Sequence, residues 1–186
     1  KKRVLITGNT GFVGSYLSMS LSLLGANVLG YALKKDNKNY ISNFPDYKKK
    51  IKTIYDDIDN LILHKNTIKK FSPQILIHLA SQPLVLNSYL DTKETFNTNV
   101  MGTVNIFELS TALKFLKNIL IFTSDKVYKN ANNKILIENS YLGGTDPYSA
   151  SKSAQDIIAQ SYKESFFKNK KNVFIVRAGN IIGGGD

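Results

Sequence analysis

Cysteine is absent from the 186-residue chain, and histidine occurs only twice, at His64 and His78. Without cysteine there is no disulfide framework, no thiolate nucleophile and no Cys-based metal site, and two histidines are too few for a zinc cluster. No metal centre is expected. No apolar run is long enough to cross a bilayer, and the basic start, KKR, leads into a strand and a glycine turn rather than a signal peptide. The expected setting is the cytoplasm, with no membrane partner. Acidic residues are scarce beside basic ones, 14 against 25, which gives a formal net charge of +11. An excess of this size invites a nucleic-acid reading. However, arginine occurs only at Arg3 and Arg177, and the lysines are scattered through loops such as KKDNK and DYKKKIK. Such scatter describes a solvated surface rather than a basic stripe, so no nucleic-acid partner is expected. An anionic small-molecule substrate is compatible with it.

What is present suits one domain over residues 1–186, long enough to bury a sizeable core. Short apolar segments read as strands at Arg3 to Thr7, Asn27 to Leu33, Lys50 to Tyr55, Gln74 to Ala80, Asn118 to Ser124 and Asn172 to Ala178. Helical stretches fall between them at Phe12 to Leu24, Asp59 to Lys70, Thr92 to Phe115 and Tyr148 to Lys168. This alternation predicts an α/β fold, a doubly wound parallel sheet of Rossmann type with helices on both faces. The irregular segment Lys129 to Asp146 is too long for an idle connection and is expected to shape a site.

Between the first strand and the first helix stands TGNTGFVG, with glycines at Gly8, Gly11 and Gly14. Such a loop lets backbone N–H groups and a helix N-terminus approach a pyrophosphate. Its place between strand and helix turns a weak glycine pattern into a dinucleotide hypothesis, with Thr10 and Phe12 carried in the same loop. A second pattern, YSASK, puts Tyr148 and Lys152 one helical turn apart behind Asp146 and Pro147, a capping residue and a helix opener. A phenol has a reference pKa of about 10, and lowering it by about three units takes roughly 4 kcal/mol of favourable charge. The Lys152 ammonium and a positive nicotinamide ring are the expected sources. Ser124, at the end of the fifth strand, offers a hydroxyl, and SDKVY then sets Asp125 beside Lys126. That pair reads either as an ordinary salt-bridged turn or as half of an active site.

Together these motifs resemble the extended branch of the short-chain dehydrogenase/reductases, and within it the nucleotide-sugar dehydratases acting on CDP-glucose. The segments that carry the resemblance are TGNTGFVGSYL, HLASQPLV, TNVMGTVN, TSDKVY, LGGTDPYSASK and RAGNIIGGGD, in family order across nearly the whole chain. It implies a 4,6-dehydration in which Tyr148 takes the proton of the sugar 4-hydroxyl while hydride leaves carbon 4 for NAD. The resulting ketone acidifies carbon 5, water is eliminated, and the hydride returns to carbon 6. On this resemblance Ser124 hydrogen-bonds the sugar oxygen, Asp125 protonates the leaving hydroxyl, and Lys126 is the base of the elimination. A lysine near pKa 10.4 needs burial and nearby cations to serve as a base.

The resemblance also implies cofactor contacts from Asp57 and Ile58, from Leu79, Ala80 and Ser81 at the end of the fourth strand, and from Asn99 as support for Lys152. Substrate contacts are implied for Gln82, Ser124 and Asn180, and Arg177 reads as a strand-end ion-pair partner. A homodimer through helices 92–115 and 148–168 is implied as well. One departure concerns the cofactor: where an acid after the second strand would hold the ribose, Leu33 is followed by Lys34 and Lys35, and Asp36 comes later. NADP is therefore the alternative to NAD. Family members continue past Asp186 with a smaller substrate lobe, so this chain is expected to bind cofactor and turn over feebly. Two other readings stand beside the dehydratase: another enzyme of the extended branch (an epimerase, a reductase or a thymidine-diphosphate-glucose dehydratase), or a non-enzymatic dinucleotide-binding module.

Overall fold

In a computed structural model that describes residues 1–34, 41–129 and 135–184, six strands form one sheet. They are β1 (Arg3–Thr7), β2 (Asn27–Ala32), β3 (Lys52–Tyr55), β4 (Ile75–His78), β5 (Asn118–Ser124) and β6 (Asn172–Ala178). Their order is β3-β2-β1-β4-β5-β6, with every neighbouring pair parallel. The helices are α1 (Phe12–Leu23), α2 (Pro45–Lys50), α3 (Lys65–Phe71), α4 (Val85–Leu90), α5 (Thr92–Phe96), α6 (Gly102–Thr111) and α7 (Pro147–Tyr162).

The side-chain alternation of β1 shows why both faces are covered. Val4 and Ile6 join Val28, Ile77 and Tyr47 in one core, against which Leu17 and Leu21 of α1 pack. Leu5 points the other way, into a core with Leu29, Leu76, Ile106, Phe107 and Ala159 from α6 and α7. Each fully buried aliphatic side chain contributes about 1.5–3 kcal/mol, so a slip of one residue would forfeit both cores. The chain leaves β1 toward β2 and β3, then returns to β4 on the opposite side. The strand order reverses there, which opens a crevice above the carboxyl ends of β1 and β4.

Several boundaries differ from the sequence reading for identifiable reasons. The helix expected from Thr92 to Phe115 is α5, a π-turn at Asn97–Met101, and α6, which stops at Thr111. The wider turn carries Asn99, fully buried, whose amide bonds the chain at Gln82 and Ser151 instead of facing solvent. Lys50 and Ile51 leave the expected third strand because PDYKKK forms α2. This helix has Pro45 at its start, Asp46 in its first turn and three lysines in its last, an order that suits the helix dipole. The stretch from Asp59 to Lys70 divides into a 3₁₀ turn, Ile58–His64, and α3, while the end of the last helix widens into a π-turn at Lys163–Phe167. Helix α4 was not anticipated. Lys35, Asp36, Asn130–Lys134 and Gly185–Asp186 lie outside the described residues.

Candidate active site

The crevice holds a cavity of about 690 Å³, within the usual size of a small-molecule site. The glycine loop forms its floor. Gly8 has φ +72°, and a Cβ there would sit 2.7 Å from the Ala80 nitrogen; a Cβ on Gly14 would sit 2.1 Å from the Gly8 carbonyl. Those two glycines are therefore demanded by the loop's own closeness. At Gly11 the nearest atom to an added Cβ is 3.4 Å away, so its missing side chain leaves space on the cavity side. Helix α1 starts behind Gly11 with no side chain capping it, so its N-terminal dipole faces the cavity. The loop is braced from behind: Tyr47 Oη donates to the Asn9 carbonyl at 2.7 Å, and Ser42 Oγ to the Thr10 carbonyl at 2.8 Å. These residues fit a dinucleotide.

Thr10 and Phe12 line this floor, Asp57 and Ile58 one wall, and Leu79, Ala80 and Ser81 the end of β4. Asp57 caps the 3₁₀ turn, accepting from the Asp59 amide at 3.0 Å. Its neighbour Asp56 is held to about pKa 2 by Asn60, His64 and the Asp57 amide. Of the pair after the second strand, Lys34 is exposed.

Opposite stand Ser124, Tyr148 and Lys152, all lining the cavity and all buried. Asp146 opens α7 by accepting from the Ser149 amide at 2.9 Å, with Pro147 behind it; such a cap is worth about 1 kcal/mol. Ser88 of α4 accepts from the Tyr148 amide at 3.1 Å. Burial pushes the Tyr148 phenol up; the Ser124 hydroxyl opposes this, while Asp125 and Asp146 add to it. The expected lowering by Lys152 is thus not found. The Lys152 ammonium donates instead to Gln155 Oε1 at 3.1 Å, and burial brings its pKa down to about 7.

Ser124 Oγ donates to Asp125 Oδ1 at 3.1 Å and accepts from the Lys126 amide at 3.2 Å. Asp125–Val127 forms a single 3₁₀ turn beside the cavity, and of its residues Lys126 lines the cavity while Asp125 does not. Lys126 is exposed, as is Asp125, whose carboxylate lies against Gly179. No ion pair joins Asp125 to Lys126 among the described residues, so the salt-bridged turn is set aside. The burial that a lysine base calls for is also missing here.

Asn180 is exposed and lines the cavity, whereas Gln82 does not reach it. Its side chain folds back on Leu84 and Thr95. Asn99 supports the Gln82 backbone and Ser151, not Lys152 directly. Arg177 is an ion-pair partner as read, forked onto fully buried Asp156 at 2.7 and 3.0 Å. The same guanidinium reaches Tyr128 and the Glu138 carbonyl, which ties the irregular segment to β6. Sequence reasoning missed Gln155, Thr103 and the role of His78. Only their helical spacing from Lys152 and Asn99 could have drawn attention to the first two.

Fold and site together define a Rossmann-type dinucleotide-binding domain of short-chain dehydrogenase form. Residues 5–177 match the family described as GDP-mannose 4,6 dehydratase, and the chain belongs to that family of nucleotide-sugar dehydratases and epimerases. CDP-glucose 4,6-dehydratase of Salmonella typhimurium is 40% identical over 100% of this chain and 54% of the relative. Human dTDP-D-glucose 4,6-dehydratase is 31% identical over 98% of this chain and 52% of its own. The crystal structure of dTDP-glucose 4,6-dehydratase from Bacillus anthracis in complex with NAD superposes with a TM-score of 0.79 at 24% identity, covering 98% of this chain and 56% of that one. The chain spans about half the length of the relatives it matches.

Proposed function

We propose that the chain is the cofactor-binding and catalytic part of an NAD-dependent nucleotide-sugar 4,6-dehydratase acting on CDP-glucose in the cytoplasm. The observation that carries this reading is the Asp125–Lys126 turn directly after Ser124, with Lys126 among the residues that line the cavity together with Tyr148 and Lys152. An epimerase or reductase needs the serine, tyrosine and lysine but has no use for an acid and an amine there. The likeness to CDP-glucose 4,6-dehydratase over the full chain supports the choice of sugar nucleotide.

When bound, NAD supplies the site that accepts hydride from carbon 4 and gives it back at carbon 6, and brings a positive ring beside the phenol. Gly8, Gly11, Gly14, Thr10 and Phe12 would hold its phosphates, and Asp57, Ile58 and Leu79–Ser81 are the residues that would contact the rest of it. Tyr148 removes the proton of the sugar 4-hydroxyl, and Ser124 holds the same oxygen by hydrogen bonding. With a ketone at carbon 4, the proton on carbon 5 becomes acidic. Lys126 takes that proton, and Asp125 delivers one to the departing 6-hydroxyl, so water leaves across carbons 5 and 6. Lys126 is exposed, so its service as this base requires that the bound substrate shield it from water. Asn180, exposed at the cavity, is assigned to the phosphates of the sugar nucleotide. Exposed Met101, Ile157 and Phe166 lie on the elements assigned to a homodimer, and no helix among the described residues is long and apolar enough to cross a membrane.

The test is to incubate the full natural protein with CDP-glucose and, separately, with thymidine-diphosphate-glucose, and to follow the alkaline absorbance of a 4-keto product. The reading expects the ketone from the first and little from the second. Equal rates would remove the preference for CDP-glucose, and interconversion of sugar epimers without a ketone product would move the chain to the epimerases.

A further inference from the structure

Lys152 is held at its ammonium by a buried chain of hydrogen bonds that runs back to the cofactor loop, and the directions of these bonds are fixed. Thr103 Oγ1 has one proton, and it lies 2.7 Å from the Asn99 carbonyl, an acceptor only. The same oxygen must then accept from Gln155 Nε2 at 2.9 Å and from His78 Nε2 at 3.3 Å. His78 thus carries its proton on Nε2. Burial, followed by the nearby Lys152 charge, pulls this imidazole down to about pKa 3 and keeps it neutral. Its bare Nδ1 accepts from Thr7 Oγ1 at 2.7 Å, and Thr7 in turn accepts from the Ala80 amide at 3.3 Å. At the other end the Gln155 amide can offer only its oxygen to Lys152, at 3.1 Å. Thr7, His78, Thr103, Gln155 and Lys152 are all buried, so each misdirected bond would strand a polar group at a cost of about 1–3 kcal/mol.

We propose that Gln155 is the positioning residue of Lys152, its amide orientation set by Thr103 and His78, so that the end of β4 and the catalytic ammonium are fixed as one hydrogen-bonded unit. This rests on the reading that Lys152 serves Tyr148, but the arrangement itself is made of this chain's own hydrogen bonds. The consequence is specific. The Gln155 carbonyl oxygen stabilises the charged amine against a burial that disfavours it, so Gln155 sets the fraction of Lys152 charged near neutrality. Among the described residues His78 on β4 feels the Lys152 charge, and Tyr148 stands one helical turn earlier on α7. Asp125 and Asp146 act on Tyr148, and Asp156, one turn further on, is committed to Arg177.

The experiment is the titration of Lys152 in the cofactor-free full natural protein, read from its ¹³Cε shift in lysine-labelled protein and assigned by loss of the signal in Lys152→Met. Gln155→Met keeps length and removes the acceptor; its Lys152 midpoint should fall by about one unit, a tenfold change in proton affinity. Gln155→Glu should raise it by at least as much. Thr103→Val should shift it in the same direction as Gln155→Met by a smaller amount, and Thr103→Ser should restore it. NAD affinity, followed by calorimetry, should weaken with each downward shift.

Midpoints unmoved in Gln155→Met and Gln155→Glu, with only the melting temperature changed, would overturn the proposal and leave Gln155 a packing residue. If Gln155→Met does not fold, the Thr103→Val and Thr103→Ser pair decides alone: equal midpoints refute. No sugar nucleotide enters the measurement, so the outcome stands apart from the dehydratase reading. An epimerase built on this chain would give the same titration.

Discussion

Replacing His78 with glutamine should flatten the acid side of the protein's stability profile. In the folded chain this imidazole is fully buried and titrates near 3, against 6.5 for a free side chain, with burial the main cause. It is a base whose folded pKa is depressed. Between those two values the unfolded chain therefore holds a proton that the folded chain lacks, and stability falls as the pH drops from 6.5 toward 3. Each unit is worth about 1.36 kcal/mol, so the full interval removes roughly 5 kcal/mol, comparable to the entire stability of many domains. Urea unfolding followed by circular dichroism at several pH values measures this directly. His78→Gln should be the less stable at neutral pH, because it disturbs the bonds to Thr7 and Thr103. On acidification the wild-type curve should descend faster until the two meet. Curves that stay parallel from pH 7 to about 4 would refute a neutral buried His78.

Gly14→Ala should cost at least about 2 kcal/mol, because its Cβ would lie 2.1 Å from the Gly8 carbonyl and overpacking of this kind strains the backbone. Gly11→Ala meets nothing closer than 3.4 Å, so it should keep its melting temperature and lose only NAD affinity, as thermal melts and calorimetry would show. Arg177→Met should destabilise by about 3–5 kcal/mol in chemical unfolding, since it leaves the fully buried Asp156 carboxylate unpaired. Adding Asp156→Leu should recover most of that loss. Asp125→Asn should lower the rate of ketone formation by about 10²–10⁴ while NAD affinity, measured separately, stays unchanged.

The sheet was legible because its inner strands β1, β2 and β4 are buried on both faces. β1, β5 and β6 fall where their apolar runs put them, and β2 and β4 run one to three residues shorter. The cofactor loop was legible because glycine is the residue that its closeness demands. The Tyr148–Lys152 helix was written in advance by Asp146 and Pro147. Less visible were interruptions that depend on contacts distant in sequence. The π-turn around Asn99 exists because its amide is engaged by Gln82 and Ser151, residues 17 and 52 positions away. Likewise, charge arithmetic suggested that Lys152 would pull the Tyr148 phenol down. Burial of both side chains, and an acceptor three residues along the helix, reversed that expectation. Gln155 carries no recognisable pattern of its own, and its importance comes from what Thr103 and His78 do to its amide.

The most direct measurement follows a single hydrogen. CDP-glucose labelled with deuterium at carbon 4 is converted by the full natural protein, and the product is examined by NMR and mass spectrometry. The account predicts a 4-keto-6-deoxy sugar whose deuterium now sits on carbon 6 of the same molecule, with a solvent proton at carbon 5. Deuterium found back on carbon 4, in a sugar of inverted configuration, would contradict elimination at Asp125 and Lys126 and assign the Tyr148 site to epimerisation.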